Sequence, residues 1–270
     1  MLGHDLRASV PSVVGLSSFA HADLDVTHAG TVRDLIRAER PRFIINAAAF
    51  TDVDAAESEP GQADAFRVNA AAPRVIGAAA AEVGATVVHF STDYVFDGES
   101  GRPYREDDEP NPLNAYGRSK LEGERALRAS GAAHLIVRTQ WLFGIHGRSF
   151  AATMWHRALR GERTSVVADQ FGRPTSSRAL ADAVWRLIEL GVTGTVHVVN
   201  SGTASWYEIA VRVFAAAGRA GLVQPSVTTE YVVAAPRPRA AVLDSGLYER
   251  LTASRLPPWQ EALDEFVALL

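Results

Sequence analysis

The 270-residue chain contains no cysteine. Disulfides and thiolate metal sites are therefore excluded, and the composition suits a reducing compartment. Long apolar runs are missing too: nothing approaches the roughly 18–20 residues that cross a bilayer. The first residues show neither the charged start nor the apolar stretch of a signal peptide. There is no excess charge of one sign, since 27 basic and 31 acidic residues leave a formal net charge of −4. That balance offers no electrostatic footprint for nucleic acid or anionic lipid. The eight histidines show no close pairing at metal-ligand spacing, so no metal is expected. The Gly-Lys-Ser/Thr of a P-loop and the Gly-x-Ser-x-Gly elbow of a hydrolase are both absent. We expect a cytoplasmic protein with no nucleic-acid and no membrane partner.

Lysine is nearly absent as well. Of 27 basic residues, 26 are Arg and one is Lys, at position 120. Alanine is abundant, so a coding bias towards Arg and Ala accounts for much of this. Arg serves wherever a positive charge is enough. The single Lys therefore marks a place where a guanidinium is not an adequate substitute.

What remains is ordinary for a globular protein: 47% hydrophobic and 21% charged residues, enough for one large or two modest domains. Apolar runs of four to six residues alternate with amphipathic helical stretches. Strands are expected at Val13–Leu16, Phe43–Ile45, Thr86–Phe90, Leu135–Arg138 and Val196–Val199. Helices are expected near 31–39, 62–83 (bent or restarted at Pro73), 115–129, 150–159, 178–190 and 206–217. The last of these opens on a capping box, Ser205 to Glu208. Residues 97–113, rich in Gly, Pro, Asp, Glu and Asn, read as a loop. The pattern predicts an α/β fold, a doubly wound, Rossmann-like parallel sheet covered on both faces. Residues 1–145 form its dinucleotide-binding domain. Residues 146–270 form mainly a smaller α/β substrate lobe, partly interleaved with the first.

Tyr116-Gly-Arg-Ser-Lys120 is the first candidate for chemistry. On a helix, residues four apart share a face, about 5–6 Å apart at Cβ. A phenol titrates near 10, too high for efficient acid–base work at neutral pH, and a neighbouring ammonium lowers that value. An exposed helix turn carrying a Tyr and a Lys is the bland alternative. Ser91-Thr92-Asp93-Tyr94 follows a strand, where ligands bind in open α/β sheets. Thr92 suits a substrate carbonyl and Asp93 suits substrate hydroxyls, although both types also serve as turn caps. The turn Asn46–Ala49 follows another strand end. Its small side chains would let a flat or phosphorylated cofactor approach the backbone, or serve close packing alone.

Asn46-Ala-Ala-Ala-Phe-Thr-Asp-Val-Asp54, Glu57-Ser-Glu-Pro60, Ser91–Phe96, Tyr116–Lys120, Arg138-Thr-Gln-Trp141 and Gln170-Phe-Gly-Arg-Pro-Thr175 occur in that order. Together they resemble the dTDP-4-dehydrorhamnose reductase family of extended short-chain dehydrogenase/reductases, over nearly the whole chain. The resemblance implies NADPH- or NADH-dependent reduction of the C4 keto group of dTDP-6-deoxy-L-lyxo-4-hexulose to dTDP-L-rhamnose, by a monomer or homodimer. Tyr116 would protonate the nascent alkoxide, with Lys120 binding the nicotinamide ribose and lowering the Tyr116 pKa. Thr92 would join this catalytic set and, with Asp93, contact the sugar. Trp141 would pack on the sugar and Arg237 would meet the diphosphate. Ala47, Ala48 and Ala49 would lie along the cofactor, Asp25 and Val26 near its adenine, and Gly3 in its pyrophosphate turn.

The chain departs from the family at its start. Met1-Leu2-Gly3-His4-Asp5-Leu6 matches only the tail of the family's Gly-x-x-Gly-x-x-Gly turn, without the first strand or first two glycines. Either the start is misassigned to an internal Met, which the intact downstream positions favour, or cofactor binding has been lost. As it stands, the chain is expected to bind NADPH weakly. Arg178 aligns with an acidic residue of metal-bridged relatives, which also argues against a metal. Ser17 and Ser18 follow an expected strand end where a carboxylate favours NADH, so they lean towards NADPH. Three functions compete: reduction of this or a related dTDP-keto-sugar, a non-catalytic regulatory or binding role on the same fold, and an epimerase or dehydratase of the superfamily. The Tyr116–Lys120 pair favours the first. The lack of an extra acid–base pair beside Thr92 disfavours a dehydratase.

Overall fold

The computed structural model describes residues 1–231 and 233–270. Four parallel strands, Phe43–Asn46 (β1), Thr86–Thr92 (β2), His134–Thr139 (β3) and Gly194–His197, lie side by side in that order. The helices are α1 (Leu2–Ala8), α2 (Ala29–Glu39), α3 (Glu59–Phe66), α4 (Ala72–Val83), α5 (Ala115–Ala129), α6 (Phe150–Leu159), α7 (Ser177–Glu189), α8 (Trp206–Ala216), α9 (Gly246–Thr252) and α10 (Trp259–Ala268).

Side chains alternate across the sheet, and each set has its own helical cover. Val87 and Ile136 face a layer built by Val32 and Ile36 of α2, Ile76, Ala79 and Ala80 of α4, and Leu127 of α5. Val88, Phe90, Leu135, Val137 and Val196 face the other way, onto Leu6 of α1, Leu180 and Val184 of α7, and Tyr248 of α9. Burial on both faces explains why β2 and β3 read as continuous apolar runs. A second core lies outside the sheet, where Met154 of α6, Ile209 and Phe214 of α8, and Leu263 and Phe266 of α10 pack with Phe143 and Val223. Thr164–Val167 and Val223–Ser226 pair in parallel beside it. The chain then recrosses: α7 and Gly194–His197, both after residue 146, complete the large sheet.

Two sequence expectations change. The strand at Val13–Leu16 does not form; Val13 is 92% exposed and Phe19 48% exposed. A parallel strand exists only by pairing, and β1, at the sheet edge, has β2 as its single neighbour. Ser17 and Ser18 therefore do not stand past a strand end, and their position lends no support to NADPH over NADH.

The second change concerns the helical region 62–83, which breaks into α3, a π-helical turn over Arg67–Ala71, and α4. Pro73 supplies the cause. It has no N–H to give the carbonyl four residues back, at Asn69, so the helical ladder shifts there. The Asn69 carbonyl then faces α5 so closely that a Cβ on Gly123 would sit 2.0 Å from its oxygen. We expect Gly123→Ala to destabilise the fold by roughly 1–3 kcal/mol, an overpacking cost that thermal unfolding would read. A wild-type melting temperature would show that α5 can move away.

Candidate active site

Because the strands run in one direction, the segments that follow them gather at one edge of the sheet. Ala47–Ala49 leave β1 there, Thr92–Tyr94 end β2, and Gln140–Trp141 follow β3. Helix α5 starts at the same edge. Its cap is Asn114, whose side-chain oxygen accepts the Gly117 N–H at 2.8 Å. Gly117 is required by contact: a Cβ there would lie 2.2 Å from the Tyr94 carbonyl oxygen. That close approach seats Tyr116 against Thr92, Asp93 and Tyr94, with the two phenol rings edge-on at 5.7 Å.

Tyr116 is strongly perturbed, in the direction opposite to the sequence expectation. Burial raises its pKa above the ordinary phenol value, the Asp93 carboxylate raises it further, and only the Thr92 hydroxyl acts against this. The net lowering expected beside Lys120 does not result, because burial and Asp93 set the direction. Its head lies in the charge field of Glu124 and beside His89. Lys120 is 3% exposed, and burial pulls its pKa down to about 8 against the attraction of Glu124. Among the described residues it forms no ion pair.

Asp93 is equally buried. It accepts from the Thr92 hydroxyl at 3.0 Å and from the Gln140 amide at 2.9 Å, yet desolvation dominates and raises its pKa to about 7. Gln140 also donates to the Ala241 carbonyl at 3.1 Å and accepts the Arg173 N–H at 3.0 Å. Three chain segments thus converge on the residue that holds Asp93. Trp141, next along, has a left-handed backbone (φ 48°) and stacks on Trp206 at 3.6 Å. Gly172 admits this ring, since a Cβ there would come within 2.6 Å of it.

Arg237 reaches the same neighbourhood from the C-terminal half. It pairs with Asp54 through both terminal nitrogens at 2.7 Å and lies beside the Tyr94 phenol. Other sequence candidates stand apart. Asp25 is tied up in a turn, accepting from the Thr27 N–H and hydroxyl at 2.9 and 2.8 Å, with Val26 half-buried beside it. Gly3 lies inside α1, whose start packs against residues 144–147, and a Cβ there would meet nothing within 4 Å. Ala47, Ala48 and Ala49 are exposed or half-buried, with the Ala48 N–H bonded to the Asn46 side chain at 3.2 Å.

Behind the site lies a charge cluster that sequence reading missed. Arg138, 1% exposed, is bidentate to Glu124 at 2.8 and 2.7 Å, and Arg128 adds a bond to Glu124 at 2.8 Å. These bonds hold the Glu124 pKa down to about 2 despite burial. A signal was present, because an Arg closing an apolar strand must find a buried partner. Nothing in the spacing named Glu124. Tyr94, Asp54 and Gln140 were likewise read only as parts of motifs.

Comparison with known proteins gives the family of the chain. A family profile described as the RmlD substrate binding domain matches residues 1–270. The chain is 42% identical over 247 residues to the dTDP-4-dehydrorhamnose reductase of Escherichia coli K12, covering 87% of this chain and 82% of that protein. It is 38% identical to a probable dTDP-4,6-dihydroxy-2-methyloxan-3-one 4-ketoreductase of Streptomyces antibioticus, covering 98% of this chain and 90% of the relative. Among solved structures, the dTDP-4-dehydrorhamnose reductase of Bacillus anthracis in complex with NADP superposes with a TM-score of 0.94 at 36% identity, covering 100% of this chain and 95% of that one.

Proposed function

The chain belongs to the dTDP-4-dehydrorhamnose reductase family, and on that premise we propose that it reduces the C4 keto group of a dTDP-4-keto-6-deoxy-L-hexose to give dTDP-L-rhamnose. The observation that carries this reading is the convergence of Tyr116, Thr92, Asp93 and buried Lys120 at the carboxyl edge of a parallel sheet. The residues fit a reduced nicotinamide cofactor, NADPH or NADH, at its reactive end. Lys120 is buried yet has no ion-pair partner among the described residues, and the small residues Ala47–Ala49, exposed or half-buried, follow β1. When bound, the cofactor supplies the hydride.

The protein's own groups supply the proton and the positioning. Tyr116 stays protonated at neutral pH because its phenolate would be buried beside a carboxylate, so it is held ready as an acid. The Thr92 hydroxyl favours the phenolate left after proton transfer, and the Lys120 cation favours negative charge at the same place. Asp93, held by Gln140, faces the sugar hydroxyls. Trp141 offers an apolar ring for the sugar, and Arg237 meets the diphosphate, a task for which a guanidinium suits better than an ammonium. The reading includes a cytoplasmic location and a monomer or homodimer. No helix among the described residues is long and apolar enough to cross a membrane.

The test is turnover of the dTDP-keto-sugar, followed by loss of reduced-nicotinamide absorbance. A folded protein that binds dTDP without turnover would favour the regulatory reading. Faster reduction of another dTDP-keto-sugar would favour a role on a related sugar, which the likeness to the Streptomyces 4-ketoreductase supports. The pH profile has a stated sign. Asp93 ionises near 7 and Lys120 loses its proton near 8, and each change opposes negative charge at Tyr116. We expect kcat to fall as pH rises from about 7 to 9, with the step near 8 missing in Lys120→Arg. A wild-type rate flat across that range would remove both groups from the chemistry.

A further inference from the structure

Arg237 is held in one orientation. Its Nη1 donates to Asp54 Oδ1 at 2.7 Å and to the Ala235 carbonyl at 2.6 Å, and its Nη2 donates to Asp54 Oδ2 at 2.7 Å. Three of the five guanidinium N–H donors are thereby used, and the carboxylate leaves open the Nε–Nη2 edge, with the Tyr94 hydroxyl a further hydrogen-bond neighbour of the group. The segment carrying Arg237 is tied down as well. Asp54 accepts the Ala235 N–H at 3.1 Å, and the Asn114 side chain donates to the Pro236 carbonyl at 2.8 Å. Asn114 is the cap of α5, so the segment is fastened both to the turn after β1 and to the helix bearing Tyr116. The Tyr94 phenol lies against Arg237 and meets the Tyr116 ring edge-on. Side-chain exposure is 18% for Arg237 and 45% for Asp54, so this pair is open to solvent.

We propose that Asp54 is a positioning residue for anion recognition, fixing Arg237 so that its Nε–Nη2 edge, the side the carboxylate leaves open, is presented to the diphosphate of a nucleotide sugar. The inference rests on the nucleotide-sugar reading of the site. An end-on carboxylate occupies the Nη1–Nη2 side and leaves the Nε–Nη2 edge, which matches two oxygens of a phosphate. The diphosphate therefore binds without displacing Asp54. Removing the carboxylate releases the guanidinium into many rotamers, and the ligand must then order it.

The intact chain provides the test, by calorimetric titration with dTDP and with thymidine, and by the kinetics of keto-sugar reduction. Asp54→Asn should weaken dTDP binding by about tenfold and raise KM alike, with kcat little changed and thymidine affinity untouched. Asp54→Glu should recover most of the loss, and Arg237→Ala should lose at least as much as Asp54→Asn. Tighter dTDP binding in Asp54→Asn would make Asp54 a competitor of the diphosphate and overturn the proposal. Equal losses for dTDP and thymidine would reduce it to a loop anchor and overturn it too. If the wild type binds dTDP and Asp54→Asn binds it equally well, this inference alone fails. If the wild type binds no dTDP, the nucleotide-sugar reading fails and takes the inference with it.

Discussion

Replacing Tyr116 by Phe should lower kcat for keto-sugar reduction by roughly 10²–10⁴-fold while leaving cofactor affinity within a factor of about two. The substitution removes one oxygen and keeps the ring that packs edge-on against Tyr94. Folding should therefore survive, and the loss can be assigned to the proton. The group that remains nearest is the Thr92 hydroxyl, already committed to Asp93 at 3.0 Å and to the Tyr94 N–H at 3.2 Å. An alcohol in that position is a poor acid. Lys120 is the other source of a proton, but it lies one helical turn away in the field of Glu124. Residual turnover that follows a pKa near 8 would identify Lys120 as that source. Undiminished kcat in Tyr116→Phe would remove the phenol from its role. Single-turnover measurement at saturating cofactor is the cleanest readout, because product release then cannot hide the chemical step.

Breaking the ion pair behind the site should produce the largest stability loss in the molecule. Arg138→Met leaves Glu124, which is fully buried, with only the partly exposed Arg128 for company, and Glu124→Leu strands a guanidinium that is 1% exposed. Each should cost about 3–5 kcal/mol in urea unfolding, since one uncompensated charge stays in the interior. Exchanging both for apolar residues of similar volume should cost much less, because both desolvation penalties vanish together. A double variant as unstable as the sum of the singles would mean that the two charges are not energetically coupled, and would overturn the ion-pair account. The same groups set the response to acid. Glu124 binds its proton near 2 in the folded state against an ordinary value of 4.5, so its contribution is full above about 4.5 and is lost as pH falls towards 2. His197, buried beside Arg138, has its pKa lowered from 6.5 to about 3. The unfolded chain therefore binds that proton first, and His197 stabilises the fold above about 6.5 and progressively less below it. Stability should decline as pH drops through this window, and Arg138→Met should flatten the Glu124 part of the decline.

The sequence by itself determined the fold class, since apolar runs separated by amphipathic helices have few ways to be buried other than as a parallel sheet with helices on both faces. It also singled out the groups proposed to react. The lone Lys120 drew attention to Tyr116, and the run from Ser91 to Tyr94 declared itself by following a strand. Capping residues were legible because their effect is local: Ser205 and Glu208 close their box without help from the rest of the chain. The tertiary structure decided whatever depended on a partner distant in the chain. Val13–Leu16 has strand-forming residues but no neighbour to pair with. Gly117 and Gly123 are explained only by the Tyr94 and Asn69 carbonyls they meet. The direction of the Tyr116 shift was misjudged from spacing, because helix geometry placed a cation nearby but could not weigh burial and the Asp93 carboxylate, which outweigh it. The couplings of Asp54 with Arg237 and of Glu124 with Arg138 span 183 and 14 residues. A charge chooses its partner by distance in space and by the dielectric around it, and neither quantity exists until the chain has folded.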